Sequence, residues 1–199
     1  MLNEIIKNRH SPRSFSDEAV NNEILKSLFE AARWSPSSMN EQPWRFIVAA
    51  KDNPDSFRKM LSVLNDTNRE WAKKAYLLIL VTTKLRNSKN NQLNRYALYD
   101  AGQAAAWLTM QASHMGIYIR QMGGFNADRA GEIFEIPEDF VPVTVMAAGY
   151  KGNINDLPPF MKEGENAVRN RKPLEEIVFA DKFNSSFEFE ENEILKAEG

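Results

Sequence analysis

The sequence predicts one domain of the α/β or α+β class, built on a central sheet. Three observations carry this. Helical and strand-like patterns interleave along the chain. Residues 76–82 form a continuous apolar run, the composition of a strand buried on both faces. The chain has 199 residues, 43% hydrophobic and 26% charged, which is enough for a real core in one domain.

Each element has a local reason. Leu2, Ile5 and Ile6 suggest a short helix that stops near Ser11-Pro12, since proline blocks its continuation. Asn21 or Asn22 caps a second helix, with Ile24, Leu25, Leu28, Phe29 and Ala32 on one face. Residues 44–50 are apolar and β-branched, hence a strand. Pro54 suits a first helical turn, with Phe57, Met60, Leu61 and Leu64 facing inward. The stretch 83–94 is polar and reads as a loop. Residues 99–116 form the longest helix. Its small apolar middle, Ala104 to Leu108, suits close packing in the core or against a second copy of itself. Gly116 is its stop signal. Residues 117–119 and 141–148 read as further strands, with a helix over 128–134 between them. Residues 173–179 close the domain. One domain is expected over 1–180, and 181–199 as a tail that docks on a partner subunit or stays in solvent.

Formal net charge is -2 and the isoelectric point is near 5.8. No global basic field exists for nucleic acid, so none is expected as a partner. Cysteine is absent, which excludes disulfides, thiolate ligands and thiol nucleophiles. No apolar run approaches membrane-spanning length and no signal peptide is evident, so a soluble cytoplasmic protein without membrane contact is expected.

Two basic clusters stand out: Arg9-His10-Ser11-Pro12-Arg13 near one end and Arg169-Asn170-Arg171-Lys172 near the other. Guanidinium forks and hydroxyls hold phosphate monoesters. Between them, the small-polar stretch Ser35-Pro36-Ser37-Ser38-Met39-Asn40-Glu41-Gln42-Pro43-Trp44 suits a flat polar ring. Together they point to a phosphorylated aromatic cofactor. With just two histidines, no His-Glu-x-x-His and no carboxylate dyad, hydrolysis and metal chemistry are disfavoured. No metal site is expected, and no side chain is expected to be the catalyst itself.

These motifs, in this order, resemble the FMN-dependent nitroreductase family over most of the chain. The matching residues are Arg9-His10-Ser11-x-Arg13-x-Phe15, Ala31-Ala32-Arg33-Trp34-Ser35-Pro36-Ser37-Ser38-x-Asn40-x-Gln42-Pro43-Trp44, Asp100-Ala101-Gly102-x-Ala104, Gly123-Gly124-Phe125, Ala148-Gly149-Tyr150 and Arg169-x-Arg171-Lys172-Pro173-Leu174. The resemblance implies a mixed sheet flanked by helices in an intertwined homodimer, with FMN at the interface. It implies a phosphate clamp of Arg9, Ser11, Arg169 and Arg171, with His10 beside it. It implies Arg13 at the pyrimidine edge of the flavin, against the competing reading of an ion pair with Asp17. Pro36, Ser37, Ser38 and Asn40 would reach FMN from the second subunit. Asn68, in competition with Asn65, would bond the pyrimidine edge. Met122, Gly123 and Gly124 would lie at the central ring, where backbone must approach closely.

Two departures stand out. Trp71 sits where relatives often carry lysine, and Gly123 where some carry glutamate. The implied activity is hydride transfer from NADH or NADPH through flavin N5 to nitroaromatics, quinones or similar acceptors, by a ping-pong route. The alternatives are an FMN carrier or sensor, or another flavin reaction such as dehalogenation or enoyl reduction. Residues 83–99 replace a longer cover, which implies an open pocket and weak discrimination among acceptors.

Overall fold

The computed structural model describes residues 2–189. It contains two compact units, Met1–Glu165 and Asn166–Gly199, and each is described by itself.

The first unit is built on four strands: β1 (Trp44–Ala50), β2 (Leu77–Lys84), β3 (Tyr118–Met122) and β4 (Phe140–Gly149). Their order is β1-β2-β4-β3, and every pairing is antiparallel. The parallel neighbour that a mixed sheet requires is not among the described strands. Helices and sheet otherwise combine as the α+β class implies.

Strand β2 is the axis. Leu77 to Val81 are fully buried, because the two faces of the sheet carry separate cores. Leu77, Ile79 and Val81 point to one, Leu78 and Leu80 to the other. This is the period-2 alternation of a strand covered on both sides. Each such side chain contributes about 1.5–3 kcal/mol of burial.

On one face lie α2 (Asn22–Arg33) and α5 (Ala97–His114). Leu28 and Ala32 pack there with Ala101, Ala104, Ala105 and Leu108. Small residues on α5 let the two helices approach, and Gln111 Nε2 donates to Ser27 Oγ at 2.9 Å to tie them. Trp107 is not in this core: it is 48% exposed, and Leu98 and Tyr99 of the same helix are exposed as well. Gly116 follows the helix at φ +73, the left-handed conformation that glycine adopts without penalty.

The other face carries α3 (Pro54–Val63), α4 (Asp66–Ala72), α6 (Ala127–Ile133) and α7 (Pro159–Asn166). Phe57, Met60, Val63, Trp71 and Met161 fill its core with Phe15. Helix α1 (Glu4–Asn8) is short and contributes no buried residue. The local signals act as read: Asn21 caps α2, and Asn53 caps α3 ahead of Pro54. Asn65 caps α4, a helix that the sequence reading passed over together with α7. Strand β2 also runs further than expected, since Thr83 and Lys84 belong to it.

The second unit holds a single 3-10 turn, Leu174–Glu176, among its described residues. Phe179 packs on Phe183 with centroids 4.9 Å apart, and Phe187 on Phe189 at 5.0 Å. The end of the expected tail, 190–199, lies outside the described residues.

Candidate functional site

The residues from Arg9 to Phe15 lie outside helix and strand, and Phe15 forms an isolated antiparallel bridge with Lys151. Arg9 Nη1 donates to Ser11 Oγ at 2.7 Å. Together they line a groove of about 310 Å³ with Thr109 and Met110 of α5 and Ile119 and Gln121 of β3. His10 is half-buried beside them. Arg120 on β3 donates from Nη1 to the Ser11 carbonyl at 2.5 Å.

Arg13 is held through its main chain. Its N–H donates to both Glu165 carboxylate oxygens, at 2.8 and 3.0 Å. Glu165 also accepts from the Ser14 N–H at 3.3 Å and the Ser14 hydroxyl at 3.2 Å. The competing ion pair with Asp17 is not formed; Asp17 pairs with Lys51 at 2.8 Å. Further along, Gly152 donates to the Ser14 carbonyl and Ser16 to that of Tyr150. A Cβ at Gly152 would lie 2.3 Å from the Phe15 carbonyl oxygen, so only glycine lets these backbones meet.

At the end of β3, Met122 is buried, and its carbonyl accepts from the Thr144 hydroxyl at 3.0 Å. Gly123 is exposed, and a Cβ there would meet nothing within 4 Å. Gly124 is the opposite case. Its carbonyl accepts from the Asn65 N–H at 3.0 Å and from Asn68 Nδ2 at 3.1 Å. A Cβ on Gly124 would come within 2.3 Å of Asn65 Nδ2 and 2.7 Å of Asn68 Nδ2. Asn65 and Asn68 therefore do not compete for one place. Asn65 caps α4 and Asn68 holds Gly124, so both fix the glycine turn. Trp71, one turn on, is a core residue stacked on Phe15 at 6.2 Å.

The stretch Pro36 to Asn40 is positioned elsewhere, at the N-terminal end of α5. Asp100, 1% exposed, accepts the Ser38 N–H at 3.1 Å. Burial raises the Asp100 carboxyl, and that hydrogen bond pulls weakly the other way. Ser37 Oγ accepts the Gln42 N–H at 3.0 Å. Met39, Asn40 and Gln42 all have positive φ, at 54, 55 and 48. Such backbone strain in non-glycine residues is retained only where surroundings enforce it. Met39 is 78% exposed and Pro36 and Asn40 are also exposed. Asp100, which holds this loop, and Thr109, which lines the Arg9–Ser11 groove, are about 14 Å apart along the helix axis.

Arg169 and Arg171 belong to the second unit, where both are exposed. Arg171 Nη1 donates to the Asn170 carbonyl at 2.6 Å.

Sequence reasoning singled out the segment 9–13, the glycine pair and the 36–40 loop. It did not find Arg120 and Glu165, which act through contacts distant in sequence. Asp100 was legible only as part of a motif. Among the described residues, no group of three or more His, Asp or Glu is placed to hold a metal ion. No described helix is long and apolar enough to cross a membrane.

Residues 6–150 match a profile described as the Nitroreductase family. A solved structure described as an oxidoreductase containing FMN superposes with a TM-score of 0.88 at 31% identity, covering 94% of each chain. A nitroreductase family protein from Clostridium difficile 630 gives a TM-score of 0.69 at 25% identity, over 90% of this chain and 98% of that one. The FMN reductase (NADPH) of Bacillus subtilis is 24% identical over 78% of this chain and 68% of its own length.

Proposed function

This chain belongs to the nitroreductase family, and from that premise we propose that it is an FMN-dependent NAD(P)H oxidoreductase. The observation that carries the reading is the gathering on and beyond β3 of donors suited to a phosphorylated flavin. Arg9 and Ser11 stand at the strand's middle, Arg13 beside Arg120, and the Gly123-Gly124 turn at its end.

The residues fit the cofactor. Arg9 and Ser11 offer a guanidinium fork and a hydroxyl to its phosphate, with His10 alongside. By the resemblance, Arg169 and Arg171 would offer two further guanidinium forks to a phosphate. Arg13 offers a cation to the ring's pyrimidine edge, which favours the electron-rich form. Gly123 leaves space where a side chain would stand. Met122 fixes the strand beneath, while Gly124 and Asn68 hold the turn's shape. FMN, when bound, supplies the hydride relay between NAD(P)H and an electron-poor acceptor. The chain's share is to grip, orient and leave one face open, so that reductant and acceptor use one space in turn.

The loop of Pro36, Ser37, Ser38 and Asn40 completes the site of a partner subunit. Two features support a homodimer. The loop is strained and outward-facing. The exposed side of α5 carries Tyr99, Gly102, Ala106 and Trp107, an apolar stripe with small residues that admits a second copy of the helix. Acceptors are nitroaromatics, quinones or similar small molecules. The modest cover formed by residues 85–96, between β2 and α5, gives weak selectivity among them, and competition assays with acceptors of similar size check this.

The test is the absorption spectrum of the purified protein, then anaerobic titration with NADH and NADPH. A yellow protein bleached by either supports an enzyme. Bound flavin that neither reductant bleaches leaves a carrier, and a colourless protein that takes up no FMN refutes the reading.

A further inference from the structure

Three charged groups share one corner of the first unit: Arg13, Arg120 and Glu165. Glu165 is 8% exposed, and its two oxygens take the Arg13 and Ser14 N–H groups and the Ser14 hydroxyl. These main-chain and hydroxyl donors surround it on the side of the Arg13 segment. A buried carboxylate costs several kcal/mol unless hydrogen-bonded or offset by charge. Here main-chain donors and two neighbouring cations offset that cost. Arg120 lies with its guanidinium 5.6 Å from the Trp71 ring centroid, half-buried, and spends one donor on the Ser11 carbonyl. Burial lowers its proton affinity first and the Arg13 charge second, while Glu165 raises it. The corner thus carries one net positive charge, though two arginines form it.

We propose that Glu165 and Arg120 are positioning residues: Glu165 locks the main chain that presents Arg13, and the two together set how much positive charge the site shows to its ligand. This rests on the reading of Arg13 as facing the flavin. The geometry explains why three segments far apart in sequence are brought to one pentapeptide. Arg120 fixes Ser11 from below, Glu165 fixes Arg13 and Ser14 from α7, and Gly152 fixes Ser14 and Phe15 from beyond β4. Arg13 is left with its side chain as its one adjustable part. Gly164 lies against it: a Cβ there would meet Arg13 Nη1 at 3.4 Å.

Three full-length variants test this: Glu165→Gln, Glu165→Ala and Arg120→Met. The first readout is amide hydrogen exchange before flavin is added. Glu165→Ala speeds exchange at Arg13 and Ser14 at least tenfold and leaves residues 77–81 of β2 unchanged. The second readout is the ratio of affinities for reduced and oxidised FMN. Glu165→Gln keeps an acceptor and the shape but removes the negative charge, so the ratio rises roughly tenfold, about 30 mV for a two-electron couple. Arg120→Met removes a positive charge, so the ratio falls. A merely structural role would move both in one direction. Unchanged exchange at Arg13 and Ser14, or ratios that shift alike or not at all, overturns the inference. A protein that binds no FMN sinks the functional reading and the charge-setting half with it, while exchange still judges the positioning half.

Discussion

The segment from Arg9 to Ser16 and the loop from Ser35 to Gln42 are both motif-dense, yet they are built in opposite ways. The first is finished within its own chain. Ser14 and Phe15 are buried, and partners arrive from β3, α7 and residues 150–152. None of its residues has positive φ. The second leans on one buried carboxylate and one serine hydroxyl, holds three left-handed non-glycine residues, and turns Met39 outward. The contrast teaches that one is a rigid wall. The other is an arm whose outer side awaits a second surface.

The sharpest way to break the wall is Gly152→Ala. Its methyl would meet the Phe15 backbone at 2.3 and 2.4 Å, and backbone cannot swing aside as a side-chain tip can. We expect a loss of about 2–3 kcal/mol, read as a lowered urea midpoint, together with loss of bound flavin. Gly124→Ala comes next. The Asn65 side chain it strikes also caps α4, so displacement costs about 1–2 kcal/mol and lowers the flavin-to-protein absorbance ratio.

The arm responds less. Asp100→Ala leaves the Ser38 N–H without its acceptor, at a cost of about 1–2 kcal/mol. Asp100→Asn keeps an acceptor and behaves differently with pH. Burial raises the native carboxyl above its ordinary 3.8, so the folded state holds the proton more tightly than the unfolded chain. That contribution to stability is complete below pH 3.8 and is lost as pH rises through the raised value. The asparagine variant is therefore the more stable protein near neutrality, and its advantage fades on acidification; denaturation at several pH values checks the sign. Smallest is Met39→Gly, which relieves a left-handed residue and stabilises the subunit by about 1 kcal/mol. A drop in thermal midpoint there would mean that the arm's strain is not intrinsic.

What the sequence disclosed divides along similar lines. The strands β1 and β2 and the helices α2 and α3 were legible because their signals are local: Asn21 and Asn53 as caps, Pro54 in a first turn, an unbroken apolar run. Helix α4 was not, since Asp66–Ala72 is polar but for Trp71 and Ala72 and shows no apolar stripe. Helix α7 holds Gly164, and Glu165 gains its meaning from Arg13, far away in the chain. The site residues within motifs were found through the resemblance. Those that position them, Arg120 and Glu165, were not, because a lone charge on a strand or helix looks like a solvated one until the fold brings its partners.

The tight fit at Gly124 also has an evolutionary side. Positions 65, 68 and 124 behave as one heritable character: a side chain at the third demands shorter or redirected ones at the first two. Drift at the third alone is closed, and lineages that abandon the glycine should have rewritten the start of α4 in the same step.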